Sequence, residues 1–369
     1  MIRRKFNSLY IIVMFLVIWS CTEWFDPSID PPENVMAVEG LITNGPGPYY
    51  IKLFMTSAYG NTSGYEPVSN AQVMVIDQDN ETTFFKEDKS GIYLSPKGFK
   101  GITGYTYKLI INTSDGETYQ SEPQTIISGI VVDSVEVAYV EVIRPIQDAS
   151  GGVTYTPVTG VKFYADIQNY SQEAPRMRFE TQVHVQYVLE EKDPWPDPDD
   201  PNLMNCFRKV KLDNSINVTI PLIDMPENAT FRHELEFMPS QFRFYEGSED
   251  WFLRSIDRRA IVLHQYTLNP DSYRFYYSLH EQMSAEGHIF DPIATQLQGN
   301  MKCVSNPDRI VLGHFEASSY QGKVFLLNPE PITENRLWLH RRPDLDYLLE
   351  IPDSSHCVMF LKPEGWIYY

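Results

Sequence analysis

Apolar and polar positions alternate with period two through most of the chain. Val35 to Thr43, Tyr49 to Met55, Ala71 to Ile76, Glu81 to Lys86, Ile92 to Leu94, Tyr105 to Ile111 and Glu117 to Ser121 are short runs of this kind. Several are rich in β-branched and aromatic residues, which suit a pleated, half-buried surface. Turn chemistry separates them, as in Asn44-Gly45-Pro46-Gly47-Pro48, Asp77-Gln78-Asp79-Asn80 and Thr113-Ser114-Asp115-Gly116. Such segments tolerate positive φ or cannot continue a ladder. Strands at this spacing predict a two-layer β-sandwich over residues 34–129.

From about Ile130 to the end, residues 130–369, a second set of strands begins. Phe179, Val183, Val185, Tyr187 and Leu189 alternate with Arg178, Glu180, Gln182, His184 and Gln186. Phe231, His233, Leu235 and Phe237 alternate in the same way with Arg232, Glu234 and Glu236. Clean alternation predicts antiparallel sheets with one face wet. One helix is expected near 271–287: Asp271 or Ser272 can cap it, Tyr276, Leu279 and Met283 form a stripe, and Gly287 suits its end. The expected fold is mainly β. An N-terminal immunoglobulin/transthyretin-like β-sandwich is followed by a larger antiparallel β-rich domain with at least one helix.

Composition narrows the partners. Hydrophobic residues make up 43% of 369, too apolar for a disordered chain, and the net charge of −19 disfavours nucleic acid. Two acidic segments invite a calcium reading, and each has a simpler one. Asp77, Asp79, Asn80 and Glu81 lack the central Gly and distal Glu of a calcium loop and read as a hairpin turn. Asp193 to Pro201, with its repeated prolines, reads as a solvated loop.

Residues 1–20 have the form of a signal peptide. Arg3, Arg4 and Lys5 precede the apolar run Leu9 to Trp19, which is shorter than the roughly 20 residues a membrane-spanning helix needs. Its end, Ile18-Trp19-Ser20-Cys21, resembles a bacterial lipobox: aliphatic at −3, small at −1, then Cys. Trp19 is bulkier than usual at −2. The resemblance implies cleavage before Cys21 and lipidation of Cys21, with acyl chains anchoring the protein at about 0.8 kcal/mol per buried methylene. Residues 21–33, with Asp26-Pro27-Ser28-Ile29-Asp30-Pro31-Pro32, read as a stiff tether. Glu23 and Asp26 faintly resemble an acidic surface-export signal.

Several blocks then fall in a recognisable order. Val38-Glu39-Gly40-Leu41-Ile42-Thr43, Pro67-Val68-Ser69-Asn70-Ala71-Gln72-Val73, Gly91-Ile92-Tyr93 and Gly104-Tyr105-Thr106-Tyr107-Lys108-Leu109 come first. Thr113 to Tyr119, Asp133-Ser134-Val135, Gly287 to Pro292, Gly299 to Cys303, Asn306-Pro307-Asp308 and Val311 to Phe315 follow. The chain resembles the domain-of-unknown-function 4249 family of Bacteroidota outer-membrane lipoproteins. That resemblance implies a lipid-anchored outer-membrane protein, on the periplasmic or cell-surface face. It also implies an accessory or ligand-binding role beside a TonB-dependent receptor barrel; from the charge and the missing motifs, no nucleic acid, cofactor, metal or catalysis is expected. The ending around Cys357 and Lys362 to Trp366 is similar too, although Met359 stands where the family has a second cysteine. Cys206, Cys303 and Cys357 allow three pairings. Loop-closure entropy separates the extremes by only about 0.9 kcal/mol and does not choose; Cys303–Cys357 is the pairing put forward.

The sequence carries no complete catalytic signature. His280-Glu281 begins like a zinc-protease helix, but position 284 is Ser, so no second imidazole shares that face. No nucleophile elbow, phosphate loop or Cys-x-x-Cys occurs. Histidines such as His184, His264, His314 and His340 sit in strand-like contexts and read as structural. Asn61, Asn80, Asn112, Asn169, Asn217 and Asn228 match a glycosylation sequon by composition, and Asp133-Ser134-Val135 resembles a bacterial O-glycosylation triplet. The alternative to an accessory role is a surface glycan-binding module or hydrolase, with Trp195, Trp251 and Trp366 available to stack on sugars.

Overall fold

A computed structural model describes residues 35–56, 65–147, 152–168, 175–191, 204–211, 216–220, 229–239, 247–248, 251–284, 297, 299–327, 339–343 and 358–359. The first strands are β1 (Met36–Thr43), β2 (Tyr50–Met55), β3 (Glu66–Pro67), β4 (Gln72–Asp77), β5 (Thr82–Lys89), β6 (Ile92–Leu94), β7 (Thr106–Asn112), β8 (Thr118–Ser121) and β9 (Gln124–Thr125). Every apolar run expected in this stretch is a strand, with small shifts at the ends. The β4–β5 connection is a hairpin turn: Asp77 Oδ1 accepts the amides of Asp79 and Glu81, each at 2.9 Å, and Asn80 takes a φ of 64°. A short Asx side chain makes both features inexpensive.

Longer elements follow. They are β10 (Val132–Gln147), β11 (Val153–Gln168), β12 (Met177–Glu191), β13 (Met204–Lys211), β14 (Asn217–Val218), β15 (Thr230–Pro239), β16 (Gly247–Ser248) and β17 (Trp251–Thr267). Helix α1 (Pro270–Met283) precedes β18 (Met301–Cys303), β19 (Val311–Leu327), β20 (Leu339–Arg341) and β21 (Val358–Met359). β10, β11 and β15 form a three-stranded sheet, and the remaining strands link into one large sheet. The mainly β fold with a helix is therefore present.

Two hydrophobic cores organise it. The first gathers Val38, Ile51, Leu53, Val73, Leu109 and Tyr119 from the early strands. It is completed by Met301, Cys303, Phe315 and Ala317, from far along the chain. β18 pairs antiparallel with β8, and β19 pairs parallel with β1. The early strands thus share their core and their edges with the C-terminal part, and a free-standing N-terminal sandwich is not distinguished. Among the described residues the β1–β19 pair is parallel, and the other strand pairings are antiparallel.

The second core joins Val161, Phe163, Ala165 and Ile167 of β11 to Phe179 and Val183 of β12, with Ile261, Leu263, Phe325 and Leu327. Burying one such side chain fully contributes about 1.5–3 kcal/mol. β19 runs through both cores, Phe315 and Ala317 entering the first and Phe325 and Leu327 the second.

The wet-face expectation holds for β15 and fails for β12. On β15, His233, Leu235 and Phe237 are buried while Arg232 and Glu234 are exposed. On β12, Gln182 and His184 are buried as well as Val183. β12 is an interior strand, hydrogen-bonded to β17 on one side and to β13 and β14 on the other.

The helix begins earlier than expected, its cap lying two residues before Asp271. Asn269 is the cap, its side chain accepting the Ser272 amide at 2.9 Å, and Pro270 occupies the first turn, where a missing N–H costs nothing. The described helix ends at Met283 with Ser284 as cap; Gly287 lies outside the described residues. Of the expected stripe, Tyr276 and Leu279 are half-buried and Met283 is 51% exposed. The helix's buried residue is Ser272, so polar contacts share in docking it.

Candidate functional site

The polar residues of β19 explain how the helix is held. Along this strand Phe315 and Ala317 face the first core, which sends His314, Glu316 and Ser318 to the opposite side, toward α1. All three are buried. Arg178, near the start of β12, meets them there.

Arg178 Nη2 donates to Glu316 Oε2 at 2.9 Å. The guanidinium lies 4.0 Å from the Tyr266 ring centre and 4.7 Å from that of Tyr276. Glu316 Oε1 accepts the Ser318 hydroxyl at 2.6 Å, and the Tyr276 hydroxyl hydrogen-bonds the same carboxylate. Arg178 Nε has no hydrogen-bond partner and is left to the aromatic faces. Burial disfavours the Arg178 charge, but Glu316 together with Tyr276, Tyr266 and Glu180 more than offsets it, so the group is held protonated. Burial first, then Glu316, pushes the Tyr276 hydroxyl well above its ordinary range. The site is a neutral, sealed ion pair clasped by two tyrosines.

A second polar chain lies beside it. His314 Nε2 is 2.9 Å from Ser272 Oγ, whose proton goes to Gln124 Oε1 at 3.1 Å. That oxygen also accepts from Asn269 Nδ2 at 2.8 Å. The direction of this chain makes His314 the donor at Nε2, leaving the lone pair on Nδ1, which has no partner. Phe275 stacks on the imidazole at 4.6 Å. Burial holds the His314 pKa down at about 4.

A serine beside a histidine invites comparison with a nucleophile and its base. Such a pair needs an exposed hydroxyl and a base oriented at its other nitrogen. Ser272 has no exposed surface, its proton is committed to Gln124, and His314 Nδ1 faces no acid. The pair therefore fastens the helix start to β19 and to the β8–β9 region. Further along the helix, Tyr273 donates to the Thr219 carbonyl at 2.5 Å and His280 Nδ1 donates to that of Ile216 at 2.7 Å. His280 is thereby committed to the backbone.

On the surface, a shallow groove of about 410 Å³ between β5 and β6 is lined by Lys86, Glu87, Asp88 and Lys97 among others. Two cations and two carboxylates balance, so the groove favours neither sign of ligand. Among the described residues no cluster of three or more His, Cys, Asp or Glu could hold a metal.

The residues singled out in the sequence are scattered. Cys21, Cys357, Trp195, Trp366 and the 193–201 segment lie outside the described residues. Cys303 is a buried free thiol whose Sγ donates to Glu117 Oε2 at 3.0 Å and lies 3.3 Å from Ser305 Oγ. Cys206 stands on β13 opposite Tyr187, and Trp251 opens β17. His264 Nδ1 is 2.9 Å from the Tyr320 hydroxyl. Ser134, of the possible modification triplet, donates to Asp166 at 3.1 Å. The sequence does not mark Arg178 and Glu316 as partners, because each reads as a wet-face residue of its own strand.

Comparison with known proteins adds one match. The family model described as Domain of unknown function (DUF4249) matches residues 22–323. No curated protein and no solved structure matches the chain.

Proposed function

The chain belongs to the DUF4249 family, and from that premise we propose that it is a lipid-anchored outer-membrane accessory or ligand-binding protein, non-catalytic, working beside a TonB-dependent transporter barrel. The observation that carries this reading is the junction Ile18-Trp19-Ser20-Cys21, set directly before the matched region that begins at residue 22. Acyl chains on Cys21 would confine the body to one membrane, and the tether over 21–33 would let it reach a neighbour there. The buried polar residues around Arg178 and His314 are compatible with this role, since they are spent on holding α1 to the sheet.

The test is a mild-detergent pull-down of a tagged full-length chain from native membranes. Enrichment of a TonB-dependent barrel over an unrelated lipoprotein control is expected. No enrichment, together with hydrolysis of glycans or peptides by the purified protein, would hand the role to the enzyme alternative.

A further inference from the structure

Helix α1 stands apart from the hydrophobic framework. Among the described residues, none of those forming or flanking the two cores comes from α1. Its buried residue is Ser272, and the contacts that fix it are polar or aromatic. At its start, Ser272 meets His314 and Gln124, and Asn269 meets Gln124 as well. Phe275 then stacks on His314, and Tyr276 hydrogen-bonds Glu316. Tyr273 and His280 donate to the carbonyls of Thr219 and Ile216. Water can replace each of these hydrogen bonds, so the net hold of each is modest. Lifting α1 therefore opens neither core, which suits a unit that opens by itself.

His314 makes this docking answer to acid. Its Nε2–H is given to Ser272, and its Nδ1 lies buried with no partner. A further proton can only go to Nδ1, where it makes a donor without an acceptor and a charge cut off from water. The groups around the ring do not relieve this. Burial is the largest influence and disfavours the charge; Glu316 on β19 and Asp271 on α1 favour it, and Arg178 on β12 opposes it. Glu316 is already spent on Arg178, Ser318 and Tyr276. Glu39 on β1 stands opposite His314 in register, but it is exposed and paired with Lys52 at 2.8 Å. Tyr276 meets the imidazole edge to face, with ring centres 6.0 Å apart, and its hydroxyl stays neutral. The first turn of α1 adds to the bias, since a helix start disfavours a cation. With α1 lifted, Nδ1 meets water and takes the proton freely.

We propose that α1 is an acid-released strap: protonation of His314 at Nδ1 frees the helix from β19 while both hydrophobic cores stay closed. The open form binds the proton and the docked form resists it, so acid raises the open population by mass action. His314 has a pKa of about 4 when docked and about 6.5 when open to water, so the open-to-docked ratio should rise about twentyfold between pH 7 and pH 5. Opening exposes the Arg178–Glu316 pair, which Tyr276 closes off in the docked helix. The strap does not depend on the anchoring reading.

Hydrogen exchange of the purified full-length chain, read by mass spectrometry and corrected for the intrinsic rate at each pH, tests this. Protection over 274–283 should fall about twentyfold from pH 7 to pH 5. At both pH values it should stay at least about tenfold below that of β7, whose Leu109 and Ile111 exchange only when the first core opens. His314→Gln keeps a donor for Ser272 but has nothing to titrate, so the fall over α1 should vanish. Where that variant does not fold, Ser272→Ala serves: it removes the hydroxyl that links α1 to His314 and Gln124, and should speed exchange over α1 at pH 7 while β7 keeps its protection. Protection over α1 that is the same at both pH values, that matches β7, or that falls as steeply in His314→Gln overturns the strap. A Ser272→Ala chain whose α1 exchanges as the parent's does overturns it as well.

Discussion

Gly313 faces Val38 across the parallel β1–β19 pair, with a φ of +94°, and a Cβ there would lie 1.9 Å from the Val38 carbonyl oxygen. On its other side Gly299 approaches just as closely, a Cβ at 299 falling 1.7 Å from the Gly313 carbonyl oxygen. Three backbone segments distant in sequence are thus packed without side chains between them. This is where the C-terminal part of the chain closes onto the first core.

Gly313→Ala should therefore destabilise by about 3 kcal/mol or more, combining a strained φ with backbone overlap. Gly98→Ala is the control: its φ is +82° but nothing lies within 4 Å of the added Cβ, so only the conformational cost, about 1–2 kcal/mol, applies. Urea unfolding midpoints of the two variants check the difference. Equal losses would show that close approach at Gly313 is unimportant.

Arg178 and Glu316 make a second stability prediction. Arg178→Met leaves a buried carboxylate unpaired and should cost about 3–5 kcal/mol. Combining it with Glu316→Leu removes that charge, so the double variant should lose at least about 2 kcal/mol less than the sum of the singles. Full recovery is not expected, because Ser318 and Tyr276 then lose their acceptor. Additive losses in a double-mutant cycle would mean the two residues act independently.

These two sites also mark where sequence reading stops. β1, β2, β4 and β6 to β8 were legible because period-two alternation and Asn, Asp, Gly and Pro turns are local signals. Nothing local announces that β18 will join β8 or that β19 will run parallel to β1. Such pairings depend on which surfaces meet after long loops close. The same limit hid the Arg178 site. His314, Glu316 and Ser318 alternate with Phe315 and Ala317 as a solvated face would, and they are buried because α1, with its own polar residues, covers them. The helix itself was visible, but Asn269 took the cap because its side-chain oxygen reaches the Ser272 amide.

The proposed anchoring rests on Cys21. Cys21→Ala should release the protein from the membrane fraction or leave residues 1–20 attached, since no thiol remains to carry the lipid. Labelled palmitate incorporation and membrane fractionation read this directly. Palmitate incorporation that survives the substitution would remove the lipobox reading and, with it, the basis of the accessory proposal.

Acid should loosen the fold in a defined window. Burial holds His314 and His233 at pKa values of about 4, against about 6.5 in an unfolded chain. Around His314, Glu316 and Asp271 favour the charged form and Arg178 opposes it; around His233, Glu234 favours it and His280 opposes it. In both cases desolvation prevails. Between pH 6.5 and 4 the unfolded state binds more protons than the folded one, so stability falls as pH drops through that range. Each histidine contributes on the order of 3 kcal/mol to the total fall. Asp166 acts in a lower window: its carboxyl is held down by Arg232, and its stabilisation is lost as pH falls below about 4. His314→Gln and His233→Gln should each flatten the upper part of the profile while lowering stability at pH 7, where the imidazoles are well packed. Urea midpoints at pH 7, 5.5 and 4.5 would decide it. A parent profile that is flat across this range would mean that neither imidazole is kept neutral by its surroundings.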